Sequence, residues 1–257
     1  MKRILIIIVV IMGFVGLFYY RITIKDFLVD SNQPEIPVAV EYQNVEDYKT
    51  IINDQKPNNE VQNQNSEIIP LSYNLDVPFT SQAPFADWNE TFKEACEEAS
   101  ALMVHYFYQT QNFTPQLATE EILKMVDWQL ANFGGHYDIT VEQTTEMIKK
   151  YLGYKNVEII NNPTVENIKS YIFQNHPVII PVAGRELGNP YFTQPGPIYH
   201  MLIIKGYTED QFITNDPGTK RGEDFLYDYD VIINSIHDWN EEDILQGSKR
   251  IIVIYPN

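Results

Sequence analysis

A second cysteine is missing: the 257-residue chain carries one, Cys96. That excludes an internal disulfide framework and leaves the thiol either a buried apolar residue or a reactive group. No set of cysteines and histidines has the spacing of a zinc site, no glycine-rich loop is shaped to cradle a phosphate, and no segment repeats. The acids of "DFLYDYD" lack the glycine and spacing of a calcium loop. Neither a metal nor a cofactor is therefore expected. Basic residues are scarce, 18 Lys and Arg against 35 Asp and Glu, for a net charge of −17. Such a surface repels phosphate backbones and offers no basic stripe for counterion release, which argues against nucleic acid as a partner. The acidity by itself describes a well-solvated surface and says little about a substrate.

What is present begins with an apolar run. "MKRILIIIVVIMGFVGLFYYRITIK" has Lys2 and Arg3, no charge from Ile4 to Tyr20, then Arg21. A bilayer core of ~30 Å needs about 17 to 25 such residues as a helix. The run leads into Phe18, Tyr19 and Tyr20 rather than a small-x-small cleavage site, so residues 1–25 are expected to be an uncleaved membrane anchor. Lys2 and Arg3 place its amino end in the cytoplasm and the rest outside, which predicts a single-pass protein of the cell membrane with an extracellular domain. Residues 26–70, rich in Asn, Gln and acid and poor in aromatics, cannot bury enough apolar surface to offset chain entropy and read as a flexible polar stalk. Residues 71–257 read as the folded domain.

Within that domain the first half has helical spacing. "ACEEASALMVHYFYQ" puts Ala95, Ala99, Leu102, Met103 and Tyr106 on one face, and "EEILKMVDWQLANF" does so with Ile122, Met125, Val126 and Leu130. "TVEQTTEMIKKYLG" opens with a Thr140 to Gln143 capping box and closes at Gly153, and "TVENIKSYIFQN" stops before Pro177. The second half reads as strands: "PVIIPV", "HMLIIKGY", "QFITNDP" and "RIIVIY". Helices first and antiparallel strands after predict an α+β domain with a cleft between the two parts.

A cysteine nucleophile requires a base, a group that orients the base and donors for an oxyanion. Cys96 falls near the head of its helix, where free N–H groups favour a thiolate, while Glu94, Glu97 and Glu98 oppose it, so a histidine must supply the difference and bring the thiol below its free value. A capping box from Thr91 to Glu94 would start the helix earlier and weaken that argument. Among five histidines, His200 opens a strand and Asp216 ends the next. With Tyr207 paired to Gln211, Leu202 faces Asp216 and His200 shares its face as a diagonal neighbour. His237, beside Asp238, is the competing base, although adjacent residues on an extended segment point apart. Gln82, in "VPFTSQAPFADW", has an amide able to donate to an oxyanion. Trp88 and Arg185 are candidates for substrate contact, by stacking and by carboxylate pairing.

"VPFTSQAPFADW", "EACEEASALM", "GRELGNPYF", "PGPIYHMLIIKGY" and "FITNDPGTKRGEDF" together resemble the bacterial papain-fold cysteine peptidases related to bacteriocin leader-processing peptidases, family thirty-nine of that group. The resemblance runs from about Leu71 to the end. It implies a papain-like α+β fold and a thiol hydrolase acting on a peptide or protein substrate, with Cys96 as nucleophile, His200 as general base, Asp216 as its orienting residue and Gln82 at the oxyanion. Two other classes fit the same residues: a non-catalytic surface module that binds peptides, and a papain-like acyltransferase or cell-wall amidase.

Overall fold

The computed structural model describes residues 35–42 and 69–257. One compact unit spans Ile36 to Asn257; the other, Met1 to Glu35, falls almost wholly outside the described residues, and with it the expected anchor. Among the described residues no helix is long and apolar enough to cross a membrane. Most of the expected stalk is likewise outside them. Its 35–42 stretch, however, lies against the domain: Val40 exchanges backbone hydrogen bonds with Asn74 and Asp76, both 2.9 Å, and the Tyr42 ring packs edge-on against Phe107 and Tyr108.

The chain proceeds through strand β1 (Tyr73–Asn74), helices α1 (Glu90–Lys93), α2 (Cys96–Gln109), α3 (Pro115–Phe133) and α4 (Val141–Lys150), then β2 (Asn156–Asn161), α5 (Val165–Phe173) and β3 (Val178–Ala183). A 3₁₀ turn at Gly184–Leu187 follows, then β4 (Tyr199–Tyr207), β5 (Gln211–Asn215), β6 (Phe225–Asp228), α6 (Tyr229–Ser235) and β7 (Arg250–Tyr255). Helices thus lead and an antiparallel sheet follows, in the order β2-β7-β3-β4-β5-β6, with β1 pairing on β4. This is the α+β, papain-like arrangement.

Local chemistry sets the helix ends. Thr114 accepts from the N–H of Leu117 ahead of Pro115, whose fixed φ suits a first helical residue, and α3 stops at Gly134, φ 78°. The Thr140–Gln143 capping box opens α4, and a second box, Thr164 with Asn167, opens α5. α2 is buried on nearly every side, so it lies inside the domain rather than on its surface. All nine residues of β4 are buried. Since successive side chains on a strand point to opposite faces, the sheet is covered on both.

The β4–β5 hairpin departs from the expected pairing and then returns to it. Tyr207 pairs with Phe212 rather than Gln211, but a bulge between Ile204 and Gly206 absorbs one residue, so that Ile203 pairs with Asn215. Continued by one residue, that register sets Leu202 opposite Asp216, as the sequence predicted. Gly206 lets β1 approach closely: a Cβ there would come within 2.7 Å of the Tyr73 carbonyl oxygen.

Candidate active site

α1 ends at Lys93, with Glu94 as its C-cap, and α2 begins at Cys96. Asn89, not Thr91, caps α1 by accepting from the Phe92 N–H, so Cys96 is the first residue of its own helix. Ala95 provides no side-chain cap, and the N–H groups of Cys96, Glu97 and Glu98 take no partner among the described residues. These open donors and the helix dipole converge where an anion would form.

One turn further along α2, the Ser100 hydroxyl donates to the carbonyl of Met201, 3.1 Å away, which joins the helix to β4 beside His200. His200 Nε2 lies 2.8 Å from Asp216 Oδ1, with both side chains almost wholly buried. Two further groups hold the other carboxylate oxygen: Tyr227 donates its hydroxyl at 2.7 Å and Asn189 its amide at 3.0 Å, while the Gly218 N–H donates to Oδ1 at 2.9 Å. Burial opposes the Asp216 charge, but His200, Tyr227 and the Gly218 N–H outweigh it and hold the carboxyl below its usual value. Burial and Asp216 push the Tyr227 phenol well up, which keeps it protonated as a donor. The edge of the Phe192 ring flanks the imidazole at 5.4 Å. Gly218 gives room on the ring: a Cβ there would stand 2.9 Å from His200 Cε1.

Sequence reasoning missed Asn189 and Tyr227. Asn189 sits in the "GRELGNPYF" stretch that carried the resemblance, but nothing along the chain says that it meets Asp216; Tyr227 reaches it only because β6 lies beside β5.

Gln82 is brought to the same region. Its backbone N–H donates to Pro217, the residue after Asp216, at 3.0 Å, and its amide donates to the carbonyls of Phe92 and Lys93 at 3.0 and 2.8 Å. Both amide protons are thereby engaged in supporting the segment that leads to Cys96. His237 is not brought in: its Nδ1 faces the Gly247 carbonyl at 2.9 Å, and its neighbour Asp238 accepts from the N–H of Val141 and of Trp239. Trp88 stands partly exposed ahead of α1. Arg185 is exposed, its Nε 3.4 Å from the Gly196 carbonyl, and it follows Gly184, where a Cβ would lie 3.2 Å from His200 Cβ.

Around the thiol lies an acidic environment. Cys96 Sγ is 3.1 Å from Glu97 Oε2, to which it donates, and Glu97 Oε1 accepts from the Ile139 N–H at 3.1 Å. Glu98 contacts the Gln129 amide and lies 3.0 Å from His136 Nε2, an ion-pair distance without the alignment of a directed hydrogen bond. Burial, then Glu97, Asp138 and Glu98, push the Cys96 thiol well above its ordinary value. The expected lowering is thus absent from the free protein. The sulfur is buried, its hydrogen bond goes to a carboxyl, and no hydrogen bond joins it to His200 among the described residues. Glu97 opposes a thiolate less than its formal charge suggests, because burial and Glu98 push its own carboxyl far toward the neutral form. His136 offsets Glu98: burial disfavours the imidazolium, but the Glu98 contact outweighs it and raises His136.

The model of the Peptidase_C39 like family matches residues 74–242. The chain belongs to this family. Cys96, His200, Asp216 and Gln82 all fall inside the matched span. A solved structure described as a candidate C39-like peptidase from Bacillus anthracis is similar at 17% identity and a TM-score of 0.47, over 71% of this chain and 96% of that one. No curated protein matches. Among the described residues of this C39-like chain, no group of three or more His, Cys, Asp and Glu side chains could hold a metal ion.

Proposed function

We propose that the chain is a cysteine peptidase in which Cys96 attacks a peptide carbonyl. The observation that carries this reading is the buried His200–Asp216 pair, 2.8 Å apart, with His200 on β4 and Asp216 just past β5, at the turn of α2 that begins with the only thiol. With Nε2 engaged by Asp216, Nδ1 is the nitrogen left to accept the thiol proton, and no other hydrogen bond reaches the ring among the described residues. The proton passes from Sγ to Nδ1 as the sulfur bonds to the carbonyl carbon. Negative charge on the former carbonyl oxygen meets the open N–H groups at the start of α2, and Gln82 contributes when that oxygen draws an amide proton from the Phe92 and Lys93 carbonyls. The imidazolium then protonates the departing amine, and water attacks the thioester with His200 again as base.

The thiol first has to leave Glu97, so the free protein holds a resting arrangement. That same hydrogen bond favours a second reading, a groove that binds peptides without cleaving them. An unbiased peptide library separates the two. Cleavage by the wild type is expected to fall on the order of 10³-fold or more in both Cys96→Ala and His200→Ala. A library left intact by the wild type, or cut equally by either variant, rejects the peptidase. A thioester passed to an added amine rather than to water identifies the acyltransferase.

We also propose that residues 1–25 anchor the protein with its domain outside the cell, on the strength of the uncharged run behind Lys2 and Arg3. Protease added to intact cells is expected to release the domain; release only after lysis reverses the orientation.

A further inference from the structure

We infer that Asp138 determines specificity at this site by receiving a cationic group of the substrate, an ammonium or guanidinium placed beside the scissile bond. The inference rests on the peptidase reading above and adds the substrate's charge to it.

Asp138 is fixed by its neighbour. The Ile139 N–H donates to Glu97, next to Cys96, and the Ile139 carbonyl accepts from the hydroxyl of Tyr199, next to His200, at 3.0 Å. Residue 139 is therefore clamped between the two elements that carry the thiol and the imidazole, and Asp138 is the residue immediately before the clamp. Its charge acts on Cys96, Glu97 and Tyr199, and the charge of His200 acts on it, so the carboxylate is within electrostatic range of the thiol and the imidazole.

The carboxylate is only part-exposed and takes no hydrogen bond or ion pair among the described residues. Withdrawing such a group from water without a counter-charge is costly. His200 pulls on it electrostatically without pairing with it, Lys93 pairs instead with Glu90 at 2.7 Å, and the Arg185 Nε faces the Gly196 carbonyl. Burial, then Glu94, push Asp138 up to about 7, against the pull of His200. A bound cation would reverse that balance. Tyr137, next to Asp138 along the chain, and Ile198, just before Tyr199 and His200, leave apolar surface exposed of the kind that takes the alkyl stem of lysine or arginine. A substrate cation also offsets the negative charge that acts on Cys96, which favours the thiolate in the complex. Discrimination then enters the transition state as well as binding.

The test uses the full-length protein and peptides varied at the residues flanking the cleaved bond. N-acetylated peptides with lysine or arginine are compared with norleucine and glutamate peptides, and a free-amine series with the same acetylated sequences. The wild type is expected to favour the cationic peptides at least tenfold in kcat/KM, Asp138→Asn to lower that ratio at least tenfold, and Asp138→Lys to turn it toward glutamate. Preference confined to free amines identifies the α-amine as the cation; preference among acetylated peptides identifies the side chain. A wild type indifferent to charge, or an Asp138→Asn protein that keeps the ratio, overturns the inference. If the wild type cleaves nothing, the peptidase reading fails and a binding measurement still decides Asp138. An argininyl peptide amide should then slow alkylation of Cys96 more than its norleucyl counterpart in the wild type but not in Asp138→Asn, and equal slowing in both proteins overturns it.

Discussion

Asp216 shows how much of the site depends on residues that never meet the substrate. A carboxylate that is wholly buried keeps its charge only if its lone pairs are answered, and here Tyr227, Asn189 and the Gly218 N–H answer those that His200 leaves open. Tyr227 and Asn189 are positioning residues. Tyr227→Phe keeps the ring and removes one donor from Oδ2. A hydrogen bond to a charged group is worth about 1.5–3 kcal/mol, and each pKa unit corresponds to about 1.4 kcal/mol. The His200–Asp216 pair should then bind a proton more tightly, so the acid limb of kcat/KM is expected to move up by about one to two units. The measurement is the pH profile on one cleavable peptide. An unmoved limb with lowered stability would make Tyr227 a packing residue alone.

At the scale of elements, periodicity located the helices but not always their inward faces. Ile122, Met125 and Val126 of α3 are buried as expected, whereas Leu130 is half exposed and Gln129 is the buried neighbour. The reason is local to the site: Gln129 turns in to meet the buried Glu98, a polar demand that apolar spacing does not express. Ile122→Ala is accordingly expected to cost about 2–5 kcal/mol in denaturant unfolding, and Leu130→Ala well under half of that. Equal losses would show that the face has been misassigned. Four strands were legible because β3, β4 and β7 are apolar runs and β5 stands between turn residues. β2, with its exposed Asn156, Glu158 and Asn161, and the short β6 carry too little pattern to be seen alone. The His200–Asp216 pairing was legible for a partly accidental reason. The turn was taken one residue short, and the bulge at Lys205 restored the register before Asp216 was reached. What the chain could not express was the state of the thiol. That depends on Asp138, Glu97 and Glu98 meeting around Cys96, and Asp138 lies more than forty residues along the chain from it.

For the whole molecule, an acidic chain that gathers Glu97, Asp138 and Glu98 around its thiol disfavours that thiol's anion. A family fold, an uncapped helix start beneath the thiol and a buried imidazole–carboxylate pair nevertheless converge on acyl transfer. On the proposed reading the substrate is more than a passive partner: its charge and the displacement of the thiol from Glu97 would complete the site. The central claim is that Cys96 forms a covalent acyl intermediate, and it is tested most directly by intact-protein mass spectrometry after rapid acid quench with a reactive peptide ester. The account predicts an added mass equal to the acyl part of the peptide, lost on hydroxylamine treatment, mapped to Cys96 and absent in Cys96→Ala. Product release by the wild type without any adduct on Cys96, or turnover retained by Cys96→Ala, would contradict it.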